Sequence, residues 1–255
     1  MDNTGLTSKG FMEIDALGLS YRELNTALTG LAQEGVKQIA VRNVNGQRYI
    51  GTNLHGNVHL ELQGTPGNDL GAFMDGPTIT VRGSGQDGVG NTMNRGSIVV
   101  HGHAGDALGL AARGGVILVR DGAGYRAGIH MKEYEDRRPV IVIGGAAQDF
   151  LGEYMAGGVL VVLGLMRPRV ARSHARFIGT GMHGGVIYLR GSVESHQLGK
   201  EVGVASLDAD DRRVLEDAVG RYATNFEMPA GDILAADFTK LYPLHLRPYG
   251  RLYAY

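Results

Sequence analysis

Residues 98–119 read IVVHGHAGDALGLAARGGVILV. An apolar tripeptide, Ile98-Val99-Val100, opens the stretch, and a second, Ile117-Leu118-Val119, closes it 19 residues later. Between them lie Gly102, Gly105-Asp106, Gly109 and Gly114-Gly115. The same spacing extends in both directions. Leu60-Glu61-Leu62 and Ile79-Thr80-Val81 precede it at steps of 19. Gly71, Gly90, Gly109 and Gly128 form one glycine column, and Met74, Met93 and Met131 a methionine column with Ala112 in the remaining place. Gly76-Pro77, Arg95-Gly96 and Gly114-Gly115 mark a paired turn. The pattern resumes with Ile141-Val142-Ile143, Gly152, Met155 and Gly157-Gly158, and fades through Leu160-Val161-Val162 and Val186-Ile187-Tyr188.

A period of this length means a repeat architecture. Nineteen residues suffice for one coil of a parallel β-helix, but not for a βαβ unit of roughly 30 or more. Each coil carries a short strand whose alternate residues, such as Ile79 and Val81, face inward. Glycine falls where a corner needs positive φ or where adjacent backbones leave no room for a Cβ. The reading is an all-β protein: a right-handed parallel β-helix, single-stranded, of about seven coils stacked about 4.8 Å apart between Leu60 and Val193. Three regions follow: a helix and hairpin cap over 1–55, the β-helix over 56–193, and a helical cap and tail over 194–255. In the first, Ser20-Tyr21-Arg22-Glu23 is a capping box, followed by Leu24, Ala27, Leu28 and Leu31 at helical spacing. Ile39 and Val41 alternate, Asn45-Gly46 turns, and Gln47–Ile50 returns as a hairpin. In the last, Asp208–Asp211 starts a helix with Val214, Leu215, Ala218 and Val219 on one face. The helical segments are expected over the open ends of the solenoid.

Composition narrows the chemistry. The chain has 255 residues with 41 Gly, and that glycine share, about 16%, is more than twice the ordinary level. Only 7 Pro and no Gly-X-Y period accompany it, which excludes collagen. With no Cys there is no disulfide, no thiolate nucleophile, no Cys-ligated zinc and no iron–sulfur cluster held by this chain. A net charge of −1 offers no electrostatic case for nucleic acid. The opening MDNTGLTSKG lacks an apolar core like that of a signal peptide, and Val159–Met166 is too short to span a membrane. A cytoplasmic protein is expected.

Gly102-x-x-Gly105-Asp106-Ala107-x-Gly109 with Arg113-Gly114-Gly115, and Asp149-Phe150-Leu151-Gly152-Glu153-Tyr154-Met155-Ala156-Gly157-Gly158, resemble the GXGXG domain. That domain is the C-terminal β-helix of the glutamate synthase large subunit. It also occurs as the β-helix subunit of formylmethanofuran dehydrogenase and in the related formyltransferase/hydrolase complex. The resemblance covers residues 56–192. With Tyr49-Ile50-Gly51 and the tail Lys240-Leu241-Tyr242-Pro243 and Arg247-Pro248-Tyr249-Gly250, the whole chain is similar to a stand-alone glutamate synthase subunit. The resemblance implies a non-catalytic subunit that braces a glutamine amidotransferase-like subunit and an FMN-binding synthase-like subunit for ammonia transfer to 2-oxoglutarate. FMN and iron–sulfur clusters would sit on those partners and no cofactor on this chain. The alternatives are the β-helix subunit of a formylmethanofuran dehydrogenase or formyltransferase/hydrolase complex, and a stand-alone carbohydrate-active β-helix enzyme.

Several constellations compete with that reading. Gly83-Ser84-Gly85-Gln86-Asp87-Gly88 matches a dinucleotide fingerprint after a strand, yet a poor helix former follows and the glycines lie on the repeat register, as turn residues do. His101-x-His103, with His55, His59 and His183, offers imidazoles for zinc. The column Gln63, Arg82, His101, Arg120 reads instead as a solvated outer face. Asn68, Asp87, Asp106 and Asp149 make an acidic column, either a calcium or acid–base ladder or Asx-turn caps, with Tyr125 interrupting it. Met74, Met93, Met131, Met155 and Met182 read as core filler. No catalytic, cofactor or metal residue is assigned. Two insertions, His130–Pro139 and Leu165–Ile178, break the register. The second holds Arg167, Arg169, Arg172 and Arg176, whose planar guanidinium groups suit a partner interface.

Overall fold

The computed structural model describes residues 4–7, 10–165 and 175–246. Arg167, Arg169, Arg172 and Arg247-Pro248-Tyr249-Gly250 lie outside the described residues. In chain order the elements are β1 (Thr4–Thr7), β2 (Phe11–Asp15), α1 (Tyr21–Gln33), β3 (Gln38–Asn45), β4 (His59–Thr65), β5 (Asp75–Arg82), β6 (Arg95–Val100) and β7 (Val116–Val119). Then come β8 (Val140–Ile143), β9 (Ala156–Val162), β10 (Gly184–Arg190), β11 (Val202–Ala205), α2 (Ala209–Phe226), α3 (Ala230–Leu234) and β12 (Phe238–Pro243). The strands make one sheet in the order β1 to β10, then β12 and β11.

From β2 to β10 every neighbour is parallel, and the register matches the repeat read from the sequence. Ile39, Leu60, Ile79, Ile98, Ile117, Ile141, Leu160 and Ile187 are successive Cα partners, each at most 1% exposed. Such a ladder buries one branched side chain per coil, each stabilising by roughly 1.5–3 kcal/mol relative to exposure. The Met column is buried beside it. The chain is a parallel β-solenoid of about six turns, against the expected seven. The difference is one of counting: the seven strands β4 to β10 bound six complete turns.

Gly152 shows why the glycine column is needed. Its φ is +66°, and a Cβ there would stand 2.6 Å from Ile187 Cδ1 on the following coil. Both the backbone conformation and the close approach of the ladder require a residue without a side chain.

Two segments fold differently from the expectation. Gln47–Ile50 does not return along β3 as a hairpin. Gly46 N–H donates to Thr65 O (2.8 Å) and Tyr49 N–H to Asn68 O (2.9 Å), so the segment runs round the solenoid and buries Ile50. Asn45-Gly46 does mark a turn, with Gly46 at φ +79°, but a turn residue does not say whether the chain reverses or rounds a corner. The second segment is α2. It lies along the side of the sheet, where Leu215, Ala218, Val219 and Tyr222 pack on Val99, Leu118, Val142, Val161 and Tyr188. These strand residues face away from the core and are apolar from β6 onward, so that face needs a cover; strands buried on both faces read as unbroken apolar runs. By contrast α1, started by its capping box, sets Leu24 and Leu28 into the internal core. At the other end β12 pairs antiparallel with β10 and adds Leu241 to that core. No helix among the described residues is long and apolar enough to cross a membrane.

Candidate functional site

Three members of the acidic column, Asp87, Asp106 and Asp149, are caps built between coils. Asp87 Oδ1 accepts from Asp106 N–H (2.8 Å), Asp106 Oδ1 from Tyr125 N–H (2.8 Å), and Asp149 Oδ1 from Arg176 N–H (2.8 Å). The expected Asx-turn would bond each side chain to its own backbone two residues on. Stacking instead offers it an N–H one coil ahead. Gly105 and Gly124 are glycine for the same reason: a Cβ at either would run into the Asp87 or Asp106 carboxylate of the preceding coil. The motif Gly-Asp thus works as a ratchet, with the glycine receiving one carboxylate and the aspartate offering the next.

His59, His101 and His183 each have a different partner. His59 Nε2 lies 3.1 Å from Thr80 Oγ1, and His183 Nδ1 lies 3.1 Å from Gly181 O. His101 Nε2 lies 2.9 Å from Arg82 Nη1, and its ring packs edge-on against Phe226 at 5.1 Å. Burial, with Arg82 and Arg120 beside it, holds the His101 pKa below the usual imidazole value. Arg82 also pairs with Glu61 (2.9 Å), and Arg120 with Asp121 (3.0 Å). Among the described residues no group of three or more His, Asp or Glu is spaced to hold a metal.

One buried polar network lies where α2 meets the sheet. Tyr188 Oη donates to Asp211 Oδ1 (2.7 Å), and Lys240 Nζ donates to Asp211 Oδ2 (2.7 Å). Burial opposes the Asp211 carboxylate, but the bonds from Lys240, Asp208 N–H and Tyr188 prevail and hold its pKa below the ordinary carboxylate value. Burial raises Tyr188 well above the usual phenol range. Asp211 is also the N3 residue that closes the α2 capping box. The network joins β10, β12 and the start of α2, and every polar atom named has a partner, so it works as a lock between elements.

Of the four arginines expected at an interface, only Arg176 is among the described residues. It is 65% exposed, with Nη2 3.5 Å from Asp149 Oδ2. The insertion at His130–Pro139 is tied down instead: Tyr134 and Arg137 bridge, the Arg137 guanidinium lies 4.6 Å from the Tyr134 ring, and Glu133 Oε1 accepts from Gly158 N–H (3.1 Å).

Beside Arg176 stands a feature that the sequence pattern does not announce. Phe150 and Phe177 stack at 4.9 Å with planes 12° apart, and His130 and Tyr154 at 5.3 Å and 10°. Arg126 lies 5.0 Å from the Phe150 ring and 3.0 Å from Glu153 Oε2. These rings occupy the positions two residues before and after the glycine column at Gly128, Gly152 and Gly179. Following the register outward from those glycines would have found them.

Comparison with known proteins agrees with this architecture. A family model described as GXGXG motif matches residues 35–247. An uncharacterized protein of Methanocaldococcus jannaschii is 46% identical over 255 residues, covering 96% of this chain and 98% of its own. A solved structure, the formyltransferase/hydrolase complex from Methylorubrum extorquens with methylofuran, contains a chain of the same fold. The TM-score is 0.60 at 19% identity, and the match covers 88% of each chain.

Proposed function

We propose that this chain, which belongs to the GXGXG motif family, is a non-catalytic assembly subunit of a multi-subunit cytoplasmic enzyme complex. The observation that carries this reading is the filled solenoid. Its interior is taken up by Ile, Leu, Val and Met ladders that are almost all below 5% exposed, so the described body has no lumen for a substrate. Its work then falls to its surface, as a stiff rod that fixes the distance between two partners. The finer reading is a glutamate synthase-type complex. There the chain would brace an amidotransferase-like and an FMN-binding synthase-like subunit, with FMN and iron–sulfur clusters on the partners. Arg167, Arg169, Arg172 and Arg176 would form part of the contact.

A second reading has a specific observation in its favour. The solved structure that shares this fold over 88% of both chains comes from a formyltransferase/hydrolase complex. The two readings separate in one experiment. The chain is co-expressed with amidotransferase-like and synthase-like subunits, or with formyl-transferring subunits, from the same source. Co-purification with the first set, and glutamine-dependent glutamate formation that falls when this chain is omitted, supports the first reading. Assembly with the second set alone replaces it. A chain that assembles with neither and cleaves polysaccharide refutes both.

A further inference from the structure

Among the described residues the large exposed aromatic side chains are Tyr49, Phe73, Tyr125, Tyr154 and Phe177, between 38% and 49% exposed, and each lies within three residues of the glycine column that turns one corner of the solenoid, at Gly51, Gly71, Gly128, Gly152 and Gly179. Tyr49, Phe73, Tyr154 and Phe177 hold φ of 63°, 59°, 51° and 59°. A bulky side chain is uncommon in that left-handed region. Coil geometry does not call for rings there, since Asp69, Thr92, Ala107 and Ala111 occupy equivalent positions with similar φ. The rings are unfavourable both for the backbone and for their contact with water, and they pack outside the core.

The same corner carries uncompensated negative charge. Asp69, Asp87 and Asp106 stand on successive coils, and none has a cationic partner among the described residues. Of the nearby cations, Arg126 and Arg176 are already paired with Glu153 and Asp149, and Arg48 lies over the rings of Tyr21 and Tyr49. Asp87 and Asp106 each use one oxygen to cap the next coil. An aromatic ring beside a carboxylate recognises a cation on an aliphatic stem, the ring taking the stem or guanidinium and the carboxylate the charge. The molecule contains that arrangement in miniature, with Arg126 lying between the Phe150 ring and Glu153.

We propose that this corner, from Phe73 across Asp87 and Asp106 to Tyr125, docks a basic segment of a partner subunit that lays arginine or lysine side chains among the rings and carboxylates. The inference rests on the assembly reading and locates its interface.

The test uses the full chain in its co-purified complex. Benzoylphenylalanine at position 73 or 125 should photo-crosslink to an Arg- or Lys-rich stretch of a partner subunit. Asp87→Asn with Asp106→Asn keeps both cap acceptors and removes the charge. It should weaken assembly about ten-fold at low salt, with little residual salt dependence. Phe73→Gly relieves the left-handed backbone, so the isolated chain should melt no lower than wild type while assembly weakens. A ring that merely stabilised the fold would give the opposite pair of results. Unchanged assembly of both variants, or crosslinks to an acidic segment, overturns the proposal and leaves the assembly reading standing. Crosslinks between two copies of the chain overturn it in favour of self-association. A wild-type chain that joins no complex refutes both.

Discussion

At the scale of single residues, alternation decides what a substitution does. Val100 is fully buried in the ladder and His101, the next residue, faces the outer side of the sheet. Val100→Asp places an unpaired charge in the core and should destabilise by several kcal/mol. His101→Asp sets a carboxylate beside Arg82 and Arg120 and should be mild. Thermal melting compares them, and equal shifts would contradict the register. Glycine gives a second contrast. Gly152 and Gly164 have φ of +66° and +60°, but a Cβ meets Ile187 at the first and nothing within 4 Å at the second. Both Ala variants should lose about 1 kcal/mol to the left-handed backbone. Gly152→Ala should lose roughly 1–3 kcal/mol more to overpacking; indistinguishable denaturation midpoints would show that the ladder yields freely. His101 also carries a pH dependence. Burial and the two arginines lower its folded pKa, so the unfolded chain takes up the proton first as pH falls. Its contribution is therefore present above about pH 6.5 and is lost as pH falls toward the folded value. His101→Gln should flatten that part of the stability curve between about pH 7 and 5, as chemical denaturation across that range would show.

At the scale of elements, α2 is the informative one. It belongs to the sheet face rather than to an end, and Tyr222 fastens it by donating to Arg120 O (2.9 Å). Burial raises the Tyr222 phenol to about 12, so it stays a donor throughout the ordinary pH range. A chain ending at residue 207 would expose the outward side chains Val99, Leu118, Val142, Val161 and Tyr188 together, and with β12 gone it would also open the edge of β10. A contiguous apolar patch of that kind favours association. The truncated chain should aggregate and bind a hydrophobic dye while keeping its sheet signal in circular dichroism. A monomeric truncation without dye binding would mean that α2 and β12 together are dispensable cover.

At the scale of the whole molecule, a solenoid is stabilised by coil-to-coil contacts, so it is stiff along its axis and tolerant on its rim. Arg176, the one described arginine of the insertion, is 65% exposed on that rim. Replacing Arg169, Arg172 and Arg176 together by Ala should leave the isolated chain's melting temperature within about 2 °C of wild type. It should weaken the assembled complex in a way that high salt reproduces in the wild type. Co-purification at low and high salt measures this, and full assembly of the triple variant in both would leave the aromatic corner as the remaining contact.

Periodicity by itself determined the solenoid, because each coil repeats one stacking problem: Ile98, Ile117 and Ile141 are neighbours in space because they are neighbours in register. The same logic made Gly152 a corner and Met93 a core residue, and the capping boxes at Ser20 and Asp208 were local enough to be read directly. Only the tertiary structure decided where nonrepeating segments go. Asn45-Gly46 marks a turn whether the chain reverses or continues, and the choice was made by hydrogen bonds to Thr65 and Asn68 on the next coil. The apolar face of α2 showed that it must be buried but not against what; the outward Val99, Leu118 and Val142 answered that. The aspartate caps and the aromatic corner have the same origin. Their partners lie a coil away, at a distance along the chain where side-chain chemistry is silent until stacking brings the residues together.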